Sequence, residues 1–120
     1  MYTVHFYIDE RGDAPVRSFI KEFNKNSRAK IGRYIDLLEQ HGPDLPRPYA
    51  DQVRNKIREL RVRATDGNIR IFYFFFVDRN IILLHAFKKK TQELPEGEIE
   101  QAERNMHHFL DQYRQGKIIL

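Results

Sequence analysis

Three strand-like runs separated by two short polar links occupy the middle of the chain, and they constrain the fold more than any other feature. The runs span residues 57–63, 69–77 and 81–91. The first link, 64–68, contains an Asp-Gly pair that tolerates positive φ, and the second, 78–80, has the length of a three-residue hairpin loop. Three strands joined by such loops predict an antiparallel meander.

The first run alternates between charged and apolar residues. Glu59, Arg61 and Arg63 alternate with Leu60 and Val62. Because successive side chains of a strand point to opposite faces of the sheet, we expect one charged and one apolar face. The charged face is therefore a candidate functional surface.

The second run is apolar and aromatic almost throughout, and its one charged residue is Arg70. A strand without a polar face is typical of the centre of a sheet, so we expect this run to be the central strand. The third run ends in Lys88, Lys89 and Lys90. We expect these cations to lie near the charged face of the first run.

The flanking segments predict one more strand and three helices. Residues 2–8 alternate like a strand, and two apolar stripes at helical spacing follow, over 16–23 and 31–38. Residues 42–56 contain three prolines and are predicted to form an irregular crossing loop, and a glutamate-rich helix begins after Pro95. We predict an α+β fold in the order β-α-α-β-β-β-α. It would form a single domain over 1–120, with a mostly antiparallel four-stranded sheet, two N-terminal helices on one face and a C-terminal helix.

Composition excludes several classes of protein. The 120 residues include no cysteine, which excludes disulfide frameworks, thiolate metal sites and cysteine nucleophiles. The N-terminus lacks a basic region followed by an apolar segment, and no stretch approaches the length of a membrane span. We therefore expect a soluble cytoplasmic protein with no membrane partner.

The basic residues are unevenly distributed, although the net charge is only +4. Between residues 54 and 70 there are two acidic residues and six basic ones: Arg54, Lys56, Arg58, Arg61, Arg63 and Arg70. A local basic surface indicates a polyanionic partner such as RNA, and the alternative is an ordinary solvated surface.

This set of residues suits cleavage of an RNA phosphodiester without a metal or cofactor. Such a reaction needs fixed cations on the phosphate and groups that move protons. The planar fork of an arginine binds phosphate oxygens through two donors, and a lysine beside other cations has a lowered pKa. Adjacent side chains diverge, so at most two of the lysines 88–90 should line one site. We predict no metal, because the His107-His108 pair lacks acidic partners at ligand spacing.

His85 is the other candidate for proton transfer. The unperturbed pKa of a histidine lies near neutrality. Counted along a regular strand, His85 shares a face with Ile81 and Leu83, which favours a structural histidine as the alternative. Its role is left open at this point.

Several segments resemble the HigB-like, phage-derived branch of the RelE/ParE toxin superfamily. They are Glu-Leu-Arg-Val-Arg at 59–63, Asn-Ile-Arg-Ile-Phe-Tyr-Phe at 68–74, and Leu-Leu-His-Ala-Phe-Lys-Lys-Lys-Thr-Gln at 83–92 before a glutamate-rich helix. The resemblance implies a RelE-like fold and a toxin of a type II toxin–antitoxin pair, usually an endoribonuclease that cuts mRNA, often on the ribosome. It also implies a cognate antitoxin partner, commonly a helix-turn-helix protein of the HigA type.

The resemblance also implies roles for particular residues. It assigns roles to Arg61, to Arg70 and to the segment 88–91. Together with the charge of the other arginines, this makes Arg61, Arg70, Lys89 and Lys90 the catalytic candidates, and Arg58, Arg63, Lys88 and Thr91 the candidates for binding RNA. The identity of the proton-transfer residue stays open, with His85, Tyr113 and His107 as candidates. Two alternatives remain: inhibition of DNA gyrase, as in ParE-like relatives, and a phage-derived domain that binds RNA without cutting it.

Overall fold

The three runs in the middle of the chain form the centre of a mixed β-sheet. The computed structural model describes residues 1–120, and its five strands follow the spatial order β1-β5-β4-β3-β2. They are β1 (Thr3–Phe6), β2 (Ala50–Arg54), β3 (Ile57–Ala64), β4 (Gly67–Phe76) and β5 (Asn80–Lys89). All neighbouring strands are antiparallel except β1 and β5, which are parallel. The meander of β3, β4 and β5 is confirmed.

The prediction of a four-stranded sheet is wrong because β2 lies in the segment that was expected to be an irregular loop. Its sequence, Ala-Asp-Gln-Val-Arg, pairs with β3 at the edge of the sheet and has only one fully buried residue, Ala50. An edge strand with polar side chains shows little hydrophobic alternation, so periodicity does not reveal it. The prolines that suggested a loop precede the strand and do not interrupt it.

The three helices cover the two faces of the sheet. They are α1 (Pro15–Lys21), α2 (Lys25–His41) and α3 (Glu96–Arg114). The side chain of Asn24 caps α2 by accepting a hydrogen bond of 2.8 Å from the backbone N–H of Ser27. Gly42 ends this helix with a φ of +55°, and a Cβ there would clash with the ring of Tyr2. None of the three helices has the length and apolar character needed to cross a membrane.

Two apolar cores lie on opposite faces of the sheet. The core between the sheet and α1 and α2 includes Val16, Phe23, Ile31, Leu38, Leu60, Val62, Ile69 and Ile71. The core beneath α3 includes Ile57, Phe72, Phe74, Ile82, Leu84, Ile99, Ala102 and Phe109. We call the two faces of the sheet the α1/α2 face and the α3 face. As predicted, the two N-terminal helices lie together on one face.

Helix α3 covers only part of its face. Its first turn reaches the middle of β5, where Glu98 contacts His85, and near its other end Phe109 packs on Phe74 and Phe76. Strands β3, β4 and β5 continue past the start of the helix towards the β3–β4 hairpin. The part of the α3 face beyond the helix is open to a ligand, and it carries most of the predicted site residues.

Candidate active site

Three arginines lie together on the uncovered part of the α3 face, and we call them the arginine cluster. Arg61 of β3 and Arg70 of β4 are direct cross-strand partners, and Arg63 pairs with Asn68 one row further along. Directly opposite residues in a sheet have Cβ atoms about 5 Å apart, so the side chains of Arg61 and Arg70 project from adjacent positions on the same face. This placement agrees with the alternation of β3.

A buried carboxylate holds two members of the arginine cluster. The side chain of Glu59 is 3% exposed, and its Oε2 accepts a hydrogen bond of 3.0 Å from Nε of Arg61. Its Oε1 lies 3.1 Å from Nε of Arg70, but the N–H does not point at this oxygen, so the contact is an ion pair without an aligned hydrogen bond. Glu59 therefore positions both arginines and offsets part of their mutual repulsion.

Asp51 of β2 extends the ion-pair network to the edge of the sheet. Its Oδ2 lies 3.1 Å from Nη2 of Arg61 and 3.0 Å from Nε of Arg47. Partial burial raises the pKa of Asp51, but the backbone N–H of Gln52 and the cations Arg47 and Arg61 outweigh it, so the pKa lies below its usual value. Asp51 therefore stays charged at neutral pH and fixes the outer side of Arg61.

Arg70 is the most deeply placed cation of the cluster, with a side chain that is 15% exposed. Burial lowers its pKa, the carboxylate of Glu59 opposes this, and the charges of Arg61 and Arg63 add to the lowering. The ordinary pKa of an arginine is so high that Arg70 keeps its proton at neutral pH. Such a desolvated cation binds an incoming phosphate more strongly than a fully hydrated one.

His85 faces the same side of the sheet as the arginine cluster, because β5 contains a bulge. Tyr73 pairs with Leu83 and Phe72 pairs with His85, which leaves Leu84 as the extra residue. The expectation that His85 shares a face with Ile81 and Leu83 is therefore wrong. A bulge shifts the alternation by one position, and the sequence gives no sign of it.

The ring of His85 is held by a carboxylate and an aromatic neighbour. Its Nε2 lies 2.7 Å from Oε1 of Glu98, and its ring stacks on Phe87 at a centroid distance of 5.9 Å. Because a carboxylate only accepts hydrogen bonds, this contact assigns the proton to Nε2. Nδ1 makes no hydrogen bond within the protein and is the nitrogen that could exchange a proton with a ligand.

The lysines and the remaining predicted residues are divided between the two faces. Lys88 lies on the α1/α2 face, with Nζ 5.1 Å from the ring centre of Phe23. Lys89 lies on the α3 face, but its ammonium donates to the carbonyl oxygens of Thr91 and Gln92. Lys90 and Thr91 follow the end of β5 and are exposed.

Arg58 also lies on the α1/α2 face, opposite the arginine cluster. Its Nη1 donates to Oε1 of Gln52 at 3.2 Å, and its cross-strand partner is the buried Tyr73. Successive side chains of a strand point to opposite faces of the sheet. Arg58 and Lys88 are therefore separated from Arg61, Arg63 and Arg70.

A cleft of about 360 Å³ adjoins the arginine cluster at the outer edge of β3. It is lined by Tyr34, Pro48, Tyr49, Arg61, Arg63, Asn68 and Arg70. Its lining therefore combines three cations with two aromatic rings. Helical periodicity predicts that Tyr34 belongs to the apolar stripe over 31–38, and nothing in the sequence places Tyr34 or Tyr49 beside the arginines.

Two larger clefts, of about 770 and 720 Å³, lie at the other edge of the sheet. Both are lined by His5 of β1 and by residues 118–120. The first is lined by the acids Asp9 and Glu10 and by the cations Arg17 and Lys117, and neither is lined by three arginines as the cleft on β3 is. Size therefore does not select the candidate site here; the arrangement of charged groups does.

Comparison with known proteins agrees with the resemblance in the sequence. Residues 18–107 match the family described as "Phage derived protein Gp49-like (DUF891)". Over 65 residues the chain is 40% identical to "Putative toxin HigB3" of Mycobacterium tuberculosis. The aligned region covers 51% of this chain and 55% of that protein. The match thus spans about half the length of the curated relative. The chain belongs to the phage-derived Gp49-like family, of the HigB-like type within the RelE superfamily.

Proposed function

We propose that this protein is the toxin of a type II toxin–antitoxin pair and cuts mRNA on the ribosome without a metal ion. The observation that carries the proposal is the Arg61–Arg70 pair, held by the buried Glu59 at the mouth of an open cleft. A buried carboxylate beneath two cations adds little net stability, so we interpret this arrangement as one that holds the cations in place for a ligand. Family membership supports the same reading.

In the proposed site the arginine cluster binds the scissile phosphate. Glu59 and Asp51 engage Nε and Nη2 of Arg61, while Nη1 of Arg61 and Nη2 of Arg70 make no hydrogen bond within the protein. These free donors suit the oxygens of a phosphodiester, whose negative charge increases as the reaction proceeds. Because carboxylates fix both arginines in advance, little reorganisation accompanies binding.

His85 is the proposed proton-transfer group. Its Nδ1 would accept the proton of the ribose 2′-hydroxyl while the 2′-oxygen forms a bond to phosphorus and the bond to the leaving 5′-oxygen breaks. The leaving oxygen takes a proton from water, and Glu98 stabilises the imidazolium that forms. Lys89 and Lys90 would raise the positive potential near the site. Arg58 and Lys88 have no part in this proposal, because they lie on the other face.

The proposal is tested by inducing the wild-type protein, Arg70→Ala and Arg114→Ala in cells and mapping the 5′ ends of transcripts. Arg114 is an exposed arginine near the end of α3, paired with Asp111, and its removal matches the loss of charge without touching the site. We expect new internal 5′ ends and growth arrest with the wild type and Arg114→Ala, and neither with a folded Arg70→Ala.

Three other results would contradict the proposal or its site assignment. Broken DNA with intact messages would indicate gyrase inhibition, and intact RNA that binds the protein with a steep salt dependence would indicate binding without cleavage. Cleavage at the wild-type level by folded Arg70→Ala would show that the arginine cluster does not bind the scissile phosphate.

We further propose that a cognate antitoxin, of the helix-turn-helix HigA type, neutralises this protein. Membership in a toxin family supports a partner of this kind. An exposed arginine cluster would attract an acidic segment of another chain. Co-expression with the product of an adjacent gene should restore growth, and the two proteins should co-purify. Unrelieved growth arrest with every adjacent gene would contradict this proposal.

A further inference from the structure

We infer that the cleft beside the arginine cluster binds the base of one RNA nucleotide by stacking it on Tyr49 and Tyr34. The inference rests on the proposed function, because the phosphate of that nucleotide is the one assigned to Arg61 and Arg70. It adds a base-binding subsite to a site so far described by its charges alone.

The backbone fixes Tyr49 next to the arginine cluster. Its carbonyl oxygen accepts a hydrogen bond of 2.8 Å from the backbone N–H of Arg61, just before β2 begins to pair with β3. Tyr49 is half-buried and lines the cleft together with Pro48. An aromatic side chain is thus held one residue away from the paired strands, beside the cations that would bind phosphate.

Tyr34 reaches the same cleft from a different element. It projects from α2, and its ring lies 5.5 Å from that of Tyr49 at an angle of 61°. Lys30, one turn earlier, lies 5.9 Å from the ring centre of Tyr34, and its ammonium donates to the carbonyl oxygen of Arg63. These contacts tie α2 to β3 and hold Tyr34 at the cleft that the arginines also line.

The lining of this cleft suits a nucleotide better than it suits a free phosphate or an apolar group. The volume of about 360 Å³ lies within the range of small-ligand sites. Bases of single-stranded RNA stack on tyrosine rings whatever their identity, because every base presents a π face. A cleft lined by both cations and aromatic rings offers partners for the phosphate and for the base of a nucleotide.

The alternative is a purely structural role, in which the two tyrosines only close the edge of the core, since both pack against the core under α1 and α2. Tyr49→Leu and Tyr34→Leu separate the two roles, because leucine keeps apolar packing and removes the aromatic ring. Tyr49→Phe and Tyr34→Phe are the matched controls, since they keep the ring and remove only the hydroxyl.

The test compares two fluorescent oligonucleotides of equal length at one fixed salt concentration. One is a 2′-O-methyl RNA, which the proposed reaction cannot cut, and the other is an abasic strand with the same number of phosphates. We expect the wild type and both phenylalanine variants to bind the base-bearing strand about tenfold or more tightly than the abasic strand. Each leucine variant should lose most of this preference while its affinity for the abasic strand stays unchanged.

Equal binding of the two strands by the wild type would overturn the inference, and so would a lack of binding to either. A full preference retained by both leucine variants would also overturn it. These results are distinct from failure of the proposed function. If the base preference depends on the tyrosines but transcripts stay intact in cells, the base subsite stands and the nuclease proposal falls.

Discussion

The two halves of the α3 face differ in what covers them, and β3 runs through both. Along one face of this strand, Ile57 and Glu59 are 0% and 2% exposed, the side chain of Arg61 is 34% exposed, and Arg63 is exposed. The same alternation thus passes from core to open site within one strand. Beyond the first turn of α3, the side chains on this face of β3 are cations instead of apolar groups.

The α1/α2 face of the same strands shows no such change. Leu60 and Val62 of β3 and Ile69 and Ile71 of β4 are all 0% exposed. Helices α1 and α2 cover these positions as far as the β3–β4 hairpin, where Ser27 of α2 contacts Thr65 through their hydroxyls at 3.3 Å. Strand periodicity therefore assigns a side chain to a face of the sheet, whereas coverage by a helix decides whether that face becomes core or site.

The largest expected effect lies in the covered half of the α3 face. Phe74→Ala should lower the free energy of unfolding by about 3–5 kcal/mol, because it leaves a cavity beneath α3. Arg63→Ala, in the uncovered half, should change it by less than about 0.5 kcal/mol. Denaturant unfolding of the two variants measures both values. Similar losses would mean that the two halves are not energetically distinct.

The next effect is on activity. His85→Gln keeps a donor for Glu98 but removes the basic Nδ1, so RNA cleavage on translating ribosomes should fall about 100-fold or more. The free energy of unfolding should change little, because the hydrogen bond is retained. His107→Gln, at an exposed position on α3, is the control. An unchanged cleavage rate in His85→Gln would exclude His85 from proton transfer.

A smaller effect is expected at the boundary between the two halves. Glu59→Gln leaves Arg61 and Arg70 without their shared carboxylate and should cost about 1–3 kcal/mol in the free energy of unfolding. Glu100→Gln, an exposed position on α3, should be close to neutral. Equal stability of both variants would show that Glu59 does not hold the arginine cluster.

The smallest effect concerns pH. The pKa of Asp51 is lower in the folded protein than its ordinary value of 3.8, so its ion pairs stabilise the fold above that pH. This stabilisation is lost as the pH falls from about 4 through the lower folded pKa. Because the pairs are partly exposed, Asp51→Asn should remove about 0.5 kcal/mol at neutral pH and flatten the acid side of the stability curve. An acid slope identical to that of the wild type would contradict this.

The sequence predicts the parts of the site that depend on local repeats. The alternation of β3 places Arg61 and Arg63 on one face, and short loops fix the pairing that brings Arg70 beside Arg61. The three helices and their apolar stripes follow from helical periodicity in the same way. These features depend on neighbouring residues, and simple rules of geometry describe them.

The parts that the sequence did not predict depend on distant contacts or on one irregularity. The bulge at Leu84 reverses the face of His85, and an edge strand as polar as β2 carries no period. The pairing of His85 with Glu98, and the meeting of Tyr34 with Tyr49, join residues from separate elements. Only the packing of α3 and α2 brings such groups together, so no local pattern contains them.

Binding of RNA to the uncovered half of the α3 face is tested most directly by an NMR titration of the ¹⁵N-labelled protein with the uncut 2′-O-methyl RNA. The titration follows the side-chain Nε–Hε signals of the arginines. We predict large shifts for Arg61 and Arg70 and none for Arg58, which lies on the other face of the same strand. Shifts at Arg58 with unchanged signals from Arg61 and Arg70 would contradict the account.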